Sequence, residues 1–132
     1  MKISTKGRYA LRIMIDLAKQ DPEVYTPLKE ISARQGISIK YLEQIVPLLT
    51  RAGYLKSLRG NSGGYRLAKL PAEYKVGDIL RTMEGDLAPI ACLEGEENDC
   101  PRKDACTTLH FWEGLKTVIN DYVDSKTLAD FL

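Results

Sequence analysis

The chain has 132 residues, enough for one compact core but too few for two domains with cores of ordinary size. Hydrophobic residues make up 44% of it and charged residues 28%, as in globular proteins, and no run of about 18 apolar residues could cross a bilayer. The net charge of +1 hides a basic part and an acidic part: residues 1–66 hold 12 Lys/Arg against 5 Asp/Glu, and residues 67–132 hold 7 against 13. The basic part, residues 1–66, could bind a polyanion. We expect a cytoplasmic protein, because the basic N-terminus lacks the apolar core of a signal peptide.

An amphipathic helix is predicted over residues 9–18, whose apolar side chains recur at helical spacing. Asp16 lies with basic residues on the opposite, polar face of this helix. A second, short helix is predicted from about Pro27 to Gln35. Thr26 is its candidate N-cap, and Gly36 stands where the end of a helix favours a left-handed residue.

A third helix is predicted after a tight turn, with Ser38 as its N-cap. Its apolar spacing continues to Gly53, so we expect Pro47 to kink the helix rather than break it. Two strand-like runs, residues 54–58 and 65–68, then flank a glycine-rich tip and predict a hairpin. Two helices joined by a short turn and followed by a hairpin form a winged helix-turn-helix, whose second helix enters the major groove of DNA.

Polar side chains at the start of the third helix are candidates for DNA contact. Lys40 lies in the first turn, where the helix dipole disfavours a cation unless an anion such as a phosphate compensates it. Glu43 can accept a hydrogen bond from the amino group of a cytosine. On the hairpin, Arg59 projects from a tip whose glycines permit a close approach to DNA. The exposed polar side chains expected at the same end of the helix are Ser38, Tyr41 and Gln44.

The acidic part of the chain begins with a short helix predicted over residues 76–84 and ends with a long one over residues 107–123. Between them lie all three cysteines: seven residues separate Cys92 from Cys100, and five separate Cys100 from Cys106. An odd number of cysteines without a secretion signal favours metal or redox chemistry over a disulfide framework.

Three thiolates with one further ligand suit a structural zinc ion or an iron-sulfur cluster. Structural zinc sites usually bring cysteines in close pairs, which are absent here, so the spacing favours a cluster. An enzyme is not expected, because the sequence has no Cys-x-x-Cys pair and no glycine motif for a cofactor.

Four segments together resemble the winged-helix family of the iron-sulfur cluster regulator IscR, the nitric-oxide sensor NsrR and the cysteine-metabolism repressor CymR. They are the N-terminal run MKISTKGRYA (1–10), the central run ISIKYLEQ (37–44), the wing RGNSGGY (59–65) and the three-cysteine segment. The resemblance covers essentially the whole chain. It implies a transcriptional regulator that binds palindromic double-stranded DNA as a homodimer held by its long C-terminal helices.

The same resemblance assigns roles to particular residues. Cys92, Cys100 and Cys106 correspond to cluster ligands, and the cluster modulates the affinity for DNA. Members similar to IscR place a histidine three positions after the last cysteine, whereas this chain has Leu109 there and His110 one position later. The fourth ligand could therefore be His110, a carboxylate, a residue of the other subunit or a small molecule. The cluster could be of the two-iron or the four-iron kind. The residues expected at the DNA face are Lys6, Tyr9, Ser38, Lys40, Tyr41, Glu43, Gln44, Arg59 and Asn61.

The sequence thus predicts a mainly helical fold with a small β-hairpin. We divide it into a winged helix-turn-helix domain (1–84), a cysteine-containing cluster loop (85–106) and a dimerisation helix with its tail (107–132). The predicted function is sequence-specific regulation of transcription, with iron-sulfur or redox status sensed through the cysteines. The alternative is a zinc-stabilised or cluster-free winged-helix regulator without redox sensing.

Overall fold

The computed structural model describes residues 2–132, so Met1 of the N-terminal motif lies outside the described residues. Within them the chain is mainly helical with one antiparallel two-stranded hairpin, as predicted. Short 3-10 turns lie at Pro71–Glu73, Ala91–Leu93, Lys103–Ala105 and Leu128–Phe131. The main elements in chain order are α1 (Thr5–Ala18), α2 (Leu28–Gln35), α3 (Ile39–Arg51), β1 (Leu55–Leu58), β2 (Gly64–Leu67), α4 (Val76–Glu84) and α5 (Leu109–Ser125).

Helix α1 begins four residues earlier than the sequence pattern indicates, because Ser4 caps it. The Ser4 hydroxyl accepts a hydrogen bond from the Gly7 amide at 3.1 Å. The Ser4 amide and hydroxyl both donate to Glu84 Oε1 at the end of α4, at 2.8 and 2.5 Å. A Cβ atom at Gly7 would collide with that carboxylate oxygen, so the glycine permits the contact between α1 and α4.

The predicted N-cap of α2 is wrong. Thr26 is buried and extends the hairpin instead, exchanging two 2.8 Å backbone hydrogen bonds with Tyr65. Its backbone is thereby committed to the sheet, and Pro27 occupies the N-cap position without a side-chain bond. The prediction for the other end of α2 is confirmed, since Gly36 ends the helix in the left-handed conformation at φ 65°.

Helix α3 runs unbroken past Pro47, as its continuing apolar spacing predicts. Helices α1, α3 and α4 meet in the main core, which also includes Ile31 of α2. Leu128, in the last 3-10 turn, is fully buried in the same core, a position that the sequence pattern does not indicate. The largest side chains that are fully buried there are Ile13, Met14, Ile31, Leu42, Ile45, Leu49, Ile79 and Leu128.

Helix α5 packs against α4 through polar as well as apolar contacts. Arg81 of α4 donates to both carboxylate oxygens of Asp124, at 2.9 and 3.0 Å, and to the amide oxygen of Asn120 at 2.7 Å. This bidentate ion pair fixes the position of α5 on the winged-helix core. Within residues 2–132 no helix combines the length and the apolar character that crossing a membrane requires. The three-segment division stays a prediction.

Candidate functional site

The N-terminal end of α3 presents polar side chains to solvent. The Ser38 hydroxyl accepts a hydrogen bond from the Tyr41 amide at 3.1 Å, which confirms the predicted N-cap. Lys40, Glu43 and Gln44 are exposed on this end of the helix. The opposite face is fully buried and consists of Leu42, Ile45, Val46 and Leu49. Because that face holds α3 on the core, the polar face keeps a fixed direction.

Two tyrosines lie beside this end of α3. Tyr9 of α1 and Tyr41 of α3 are half-buried and meet edge to face, with ring centroids 5.3 Å apart. The Arg12 guanidinium lies 5.0 Å from the centroid of the Tyr9 ring. The expectation of an exposed Tyr41 is therefore wrong, because its ring packs between the two helices. Lys6, one turn before Tyr9, is half-buried as well.

The hairpin extends from the core as a short wing. Leu55 pairs with Leu67 at its base, and Leu58 pairs with Gly64 at its end. Arg59 and Asn61 are exposed at the tip, where the sequence places candidate DNA contacts.

Arg66 points back from the wing toward the loop after α1. Its guanidinium lies 4.6 Å from the centroid of the Tyr25 ring, 3.4 Å from the Pro22 carbonyl and 3.8 Å from the Glu23 carboxylate. This basic side chain is thus already partnered at the base of the hairpin.

A buried carboxylate joins α1 to α2. Asp16 is only 4% exposed, so its placement on the polar face of α1 is wrong. Arg34 donates to its two oxygens at 2.9 Å each, and the Gln35 side-chain amide donates at 3.0 Å. The hydrogen bond from Arg34 to Asp16 raises the pKa of the guanidinium above its ordinary value. Arg12 of α1 also donates a hydrogen bond to the backbone carbonyl of Gln35, which is a further contact between α1 and α2.

The cysteine segment is fixed at one end. The Lys116 ammonium of α5 donates to the Leu93 carbonyl at 2.6 Å and to the Gly95 carbonyl at 3.1 Å. The Asp86 carboxylate accepts from the amides of Ala88 and Gly95, at 2.6 and 2.8 Å. These bonds anchor the turn that carries Cys92, whereas residues 101–108 are all exposed.

All three cysteines are free thiols in the part of the chain that the structure describes. Cys92 and Cys100 are half-buried and Cys106 is exposed. The Cys106 Sγ atom lies 3.6 Å from the Thr108 hydroxyl. This hydrogen bond, with the amides at the start of α5, holds the pKa of the Cys106 thiol below its ordinary value. A lowered pKa favours the thiolate, the form that binds metals.

The structure does not bring these thiols together. Within residues 2–132 no three His, Cys, Asp or Glu side chains lie close enough to hold a metal ion. His110 is fully exposed, with its Nδ1 atom 3.5 Å from a Glu113 carboxylate oxygen. As a donor set, three thiols in one segment fit zinc or an iron-sulfur cluster, but the segment must rearrange to use them on one centre.

Helix α5 leaves an apolar stripe uncovered on the side facing away from α4. Phe111, Val118 and Tyr122 are each about two-thirds exposed, at 65%, 64% and 64%. With the half-buried Leu115 they follow a four-three-four spacing, which is the repeat of a coiled-coil seam.

Sequence reasoning missed the side chains that hold these elements in place, namely Asp16, Glu84, Arg81 and Lys116. Each contacts a residue at least 18 positions away in the chain, so no local pattern indicates its partner.

Comparison with known proteins identifies the family. A family model described as Rrf2, iron-dependent transcriptional regulator, matches residues 3–132. The HTH-type transcriptional regulator CymR of Bacillus subtilis is 45% identical over 130 residues, which cover 98% of this chain and 88% of CymR. IscR of Aliivibrio salmonicida is 38% identical over 132 residues, covering 100% of this chain and 77% of IscR.

Solved structures agree with this result. The structure of CymR, described as the global cysteine regulator of B. subtilis, matches with a TM-score of 0.80 and 43% identity, covering 99% of this chain and 95% of that one. T. potens IscR matches with a TM-score of 0.76 and 40% identity, covering 99% and 85%. The chain therefore belongs to the Rrf2 family of transcriptional regulators.

Proposed function

We propose that this regulator binds palindromic double-stranded DNA as a homodimer, with α3 in the major groove and the wing on the backbone or in the minor groove. The observation that carries the proposal is the exposed polar end of α3, held in place by a fully buried opposite face. The residues that we assign to the DNA face are Lys6, Tyr9, Ser38, Lys40, Tyr41, Glu43, Gln44, Arg59 and Asn61.

These residues divide into two groups by chemistry. Lys40 and Arg59 are exposed cations suited to phosphates, which position a protein on DNA without reading sequence. Glu43 and Gln44 are exposed on the next turn of α3 and suit base edges, where a carboxylate pairs with cytosine and an amide with adenine. Tyr9 and Tyr41 support this end of the helix through their mutual packing.

The Lys40→Gln variant tests the phosphate contact. Affinity should fall on every bound duplex alike, and the slope of log K against log salt should become shallower by about 1 for each subunit bound, because one phosphate contact is lost. Lys75→Gln is the matched control, since Lys75 is exposed at the start of α4, outside the proposed face. Equal slopes for wild type and Lys40→Gln would contradict the contact.

The second part of the proposal is a metal centre held by Cys92, Cys100 and Cys106. Its support is the set of three free thiols in one segment, the iron dependence in the family description and the resemblance to IscR. An iron-sulfur cluster, when bound, supplies a group that responds to oxidation and iron supply. Lys116 and Asp86 hold the turn that carries Cys92, so we expect the rest of the segment to move toward this fixed thiol.

The visible absorption spectrum and the iron and sulfide contents of protein purified without oxygen test this part. We expect a coloured protein whose colour and iron are lost in Cys92→Ala. Stoichiometric zinc in a colourless protein would instead support a zinc-stabilised regulator without redox sensing. A colourless, metal-free protein would contradict both metal centres and leave the DNA proposal intact.

We further propose that the centre controls DNA binding through the dimer geometry. The half-sites of a palindrome lie about 34 Å apart, or a multiple of this distance, so two recognition helices must keep a fixed separation. The cysteine segment is bonded to α5 through Lys116, and α5 is bonded to α4 through Arg81. A rearrangement of the cysteine segment could therefore shift α5 and, through these hydrogen bonds, the winged-helix core.

A further inference from the structure

Ile39, the first residue of α3, is an apolar side chain at the end of the helix that we assign to DNA. It is 44% exposed, whereas Leu42, Ile45, Val46 and Leu49 are fully buried. Among the described residues of α3 it is the one large aliphatic side chain that is exposed, since Leu48 is half-buried. Single exposed apolar residues are common on protein surfaces, so exposure alone assigns Ile39 no role.

The position of Ile39 gives it a role. It lies between Ser38 and Lys40 in the chain and one helical turn before Glu43, all of which are exposed. A β-branched side chain in a helix holds essentially one χ1 rotamer, so the methyl group on the Cβ atom of Ile39 keeps a fixed direction. The other exposed side chains proposed for this face are polar, which leaves Ile39 as the apolar group that can contact a base.

We propose that Ile39 is a specificity-determining residue that reads the C5-methyl group of a thymine in the major groove. Thymine presents that methyl group there, and apolar side chains recognise it by burying it. Ile39 and Glu43 are four residues apart, about 6 Å along the helix, whereas base pairs are stacked about 3.4 Å apart. The thymine should therefore lie within about two base pairs of the cytosine that Glu43 reads. This inference rests on the proposed DNA binding.

The test begins with duplexes that wild-type protein selects from a randomised pool. In one selected duplex each thymine is replaced in turn by uracil, which removes only the methyl group, and affinities are measured by fluorescence anisotropy. We expect one thymine in each half-site at which uracil weakens binding about fourfold, the effect of one buried methyl group. Ile39→Ala should bind the thymine and uracil duplexes equally, whereas Ile39→Val should retain part of the difference.

Val24→Ala is the matched control, because Val24 is 53% exposed in the loop between α1 and α2. It should keep the fourfold difference, and the unfolding temperatures of all variants check that they fold. The inference is overturned if no uracil substitution weakens wild-type binding, or if Ile39→Ala shows the same loss as wild type. If wild type selects no duplex at all, the proposed DNA binding fails and this inference fails with it.

Discussion

Asp86 illustrates how a single side chain can organise the cysteine segment. Its carboxylate accepts hydrogen bonds from the amides of Gly95 and Ala88. These bonds, that from Gly95 foremost, hold the pKa of Asp86 below its ordinary value of 3.8. The folded protein thus favours the charged carboxylate, which stabilises the fold at pH values above 3.8. The stabilisation is lost as the pH falls through the lower pKa of the folded state.

We expect Asp86→Asn to lower the free energy of unfolding at pH 7 by about 0.5 kcal/mol, a small value because the carboxylate is exposed to solvent. The difference from wild type should shrink as the pH falls below 3.8, where protonation of Asp86 weakens the same bonds in wild type. Urea unfolding at a series of pH values measures it. Asp121→Asn, at an exposed position of α5, is the control. A difference that stays constant down to low pH would contradict the role of the charge.

At the scale of elements, the buried carboxylate of Asp16 sets the position of α2 against α1. Asp16 is 4% exposed, whereas the Arg34 side chain is 35% exposed. Removing Arg34 leaves a buried charge with the Gln35 amide as its remaining side-chain partner, and this is more costly than losing a surface ion pair.

We therefore expect Arg34→Met to lower the free energy of unfolding by about 2 kcal/mol, as measured by chemical denaturation. Arg8→Met provides the comparison, because Arg8 is exposed and its side chain bonds to Thr5 Oγ1 at 3.1 Å. Arg8→Met should change the stability by less than about 0.5 kcal/mol. Similar losses in the two variants would show that the Asp16 contact does not stabilise the pair of helices.

The same elements show how far the sequence predicts this fold. The Ser38 cap and the Gly36 helix end depend on a few neighbouring residues, and both predictions are confirmed. The predicted cap at Thr26 is wrong because Tyr65, almost forty positions away, pairs with its backbone. The expectation that Asp16 lies on the polar face of α1 is wrong for the same reason, since its partners lie on another helix.

In the candidate site, too, features that depend on neighbouring residues can be predicted from the sequence, and features that depend on distant residues cannot. The polar end of α3 follows from the helical spacing of α3, and Lys40, Glu43 and Gln44 are exposed there as the sequence predicts. The burial of Tyr41 does not follow from that spacing, because its ring packs against Tyr9 of α1. The arrangement of the three cysteines does not follow from their spacing, because it depends on bonds from Lys116 and Asp86 to the backbone of the segment. Their role as ligands stays a prediction.

At the scale of the whole molecule, membership of the Rrf2 family confirms a transcriptional regulator rather than an enzyme. We propose that a second copy of this regulator covers the exposed stripe on α5. Its exposed members Phe111, Val118 and Tyr122 stand at coiled-coil spacing, so burying them against the same stripe of another chain removes apolar surface from water on both sides.

Val118→Glu should therefore be a monomer in sedimentation experiments, in which we expect the wild-type chain to be a dimer, because the substitution places a charge in the centre of the apolar seam. Thr117→Glu is the matched control: it introduces the same charge at an exposed position one residue earlier, about 100° round the helix from Val118 and outside the apolar stripe, and should leave the proposed dimer intact. A dimer that persists in Val118→Glu would contradict the proposed interface.

If the three-cysteine segment controls how tightly α3 binds DNA, then the state of the segment must change the affinity of the protein for its DNA site. The most direct test compares the affinity of one selected duplex for protein purified without oxygen with its affinity for the same protein after removal of the proposed metal centre. Our account predicts that the two affinities differ by at least about tenfold, which corresponds to a coupling of about 1.4 kcal/mol. It also predicts that Cys92→Ala behaves as the metal-free protein does. Equal affinities in the two states would contradict control by the cysteines.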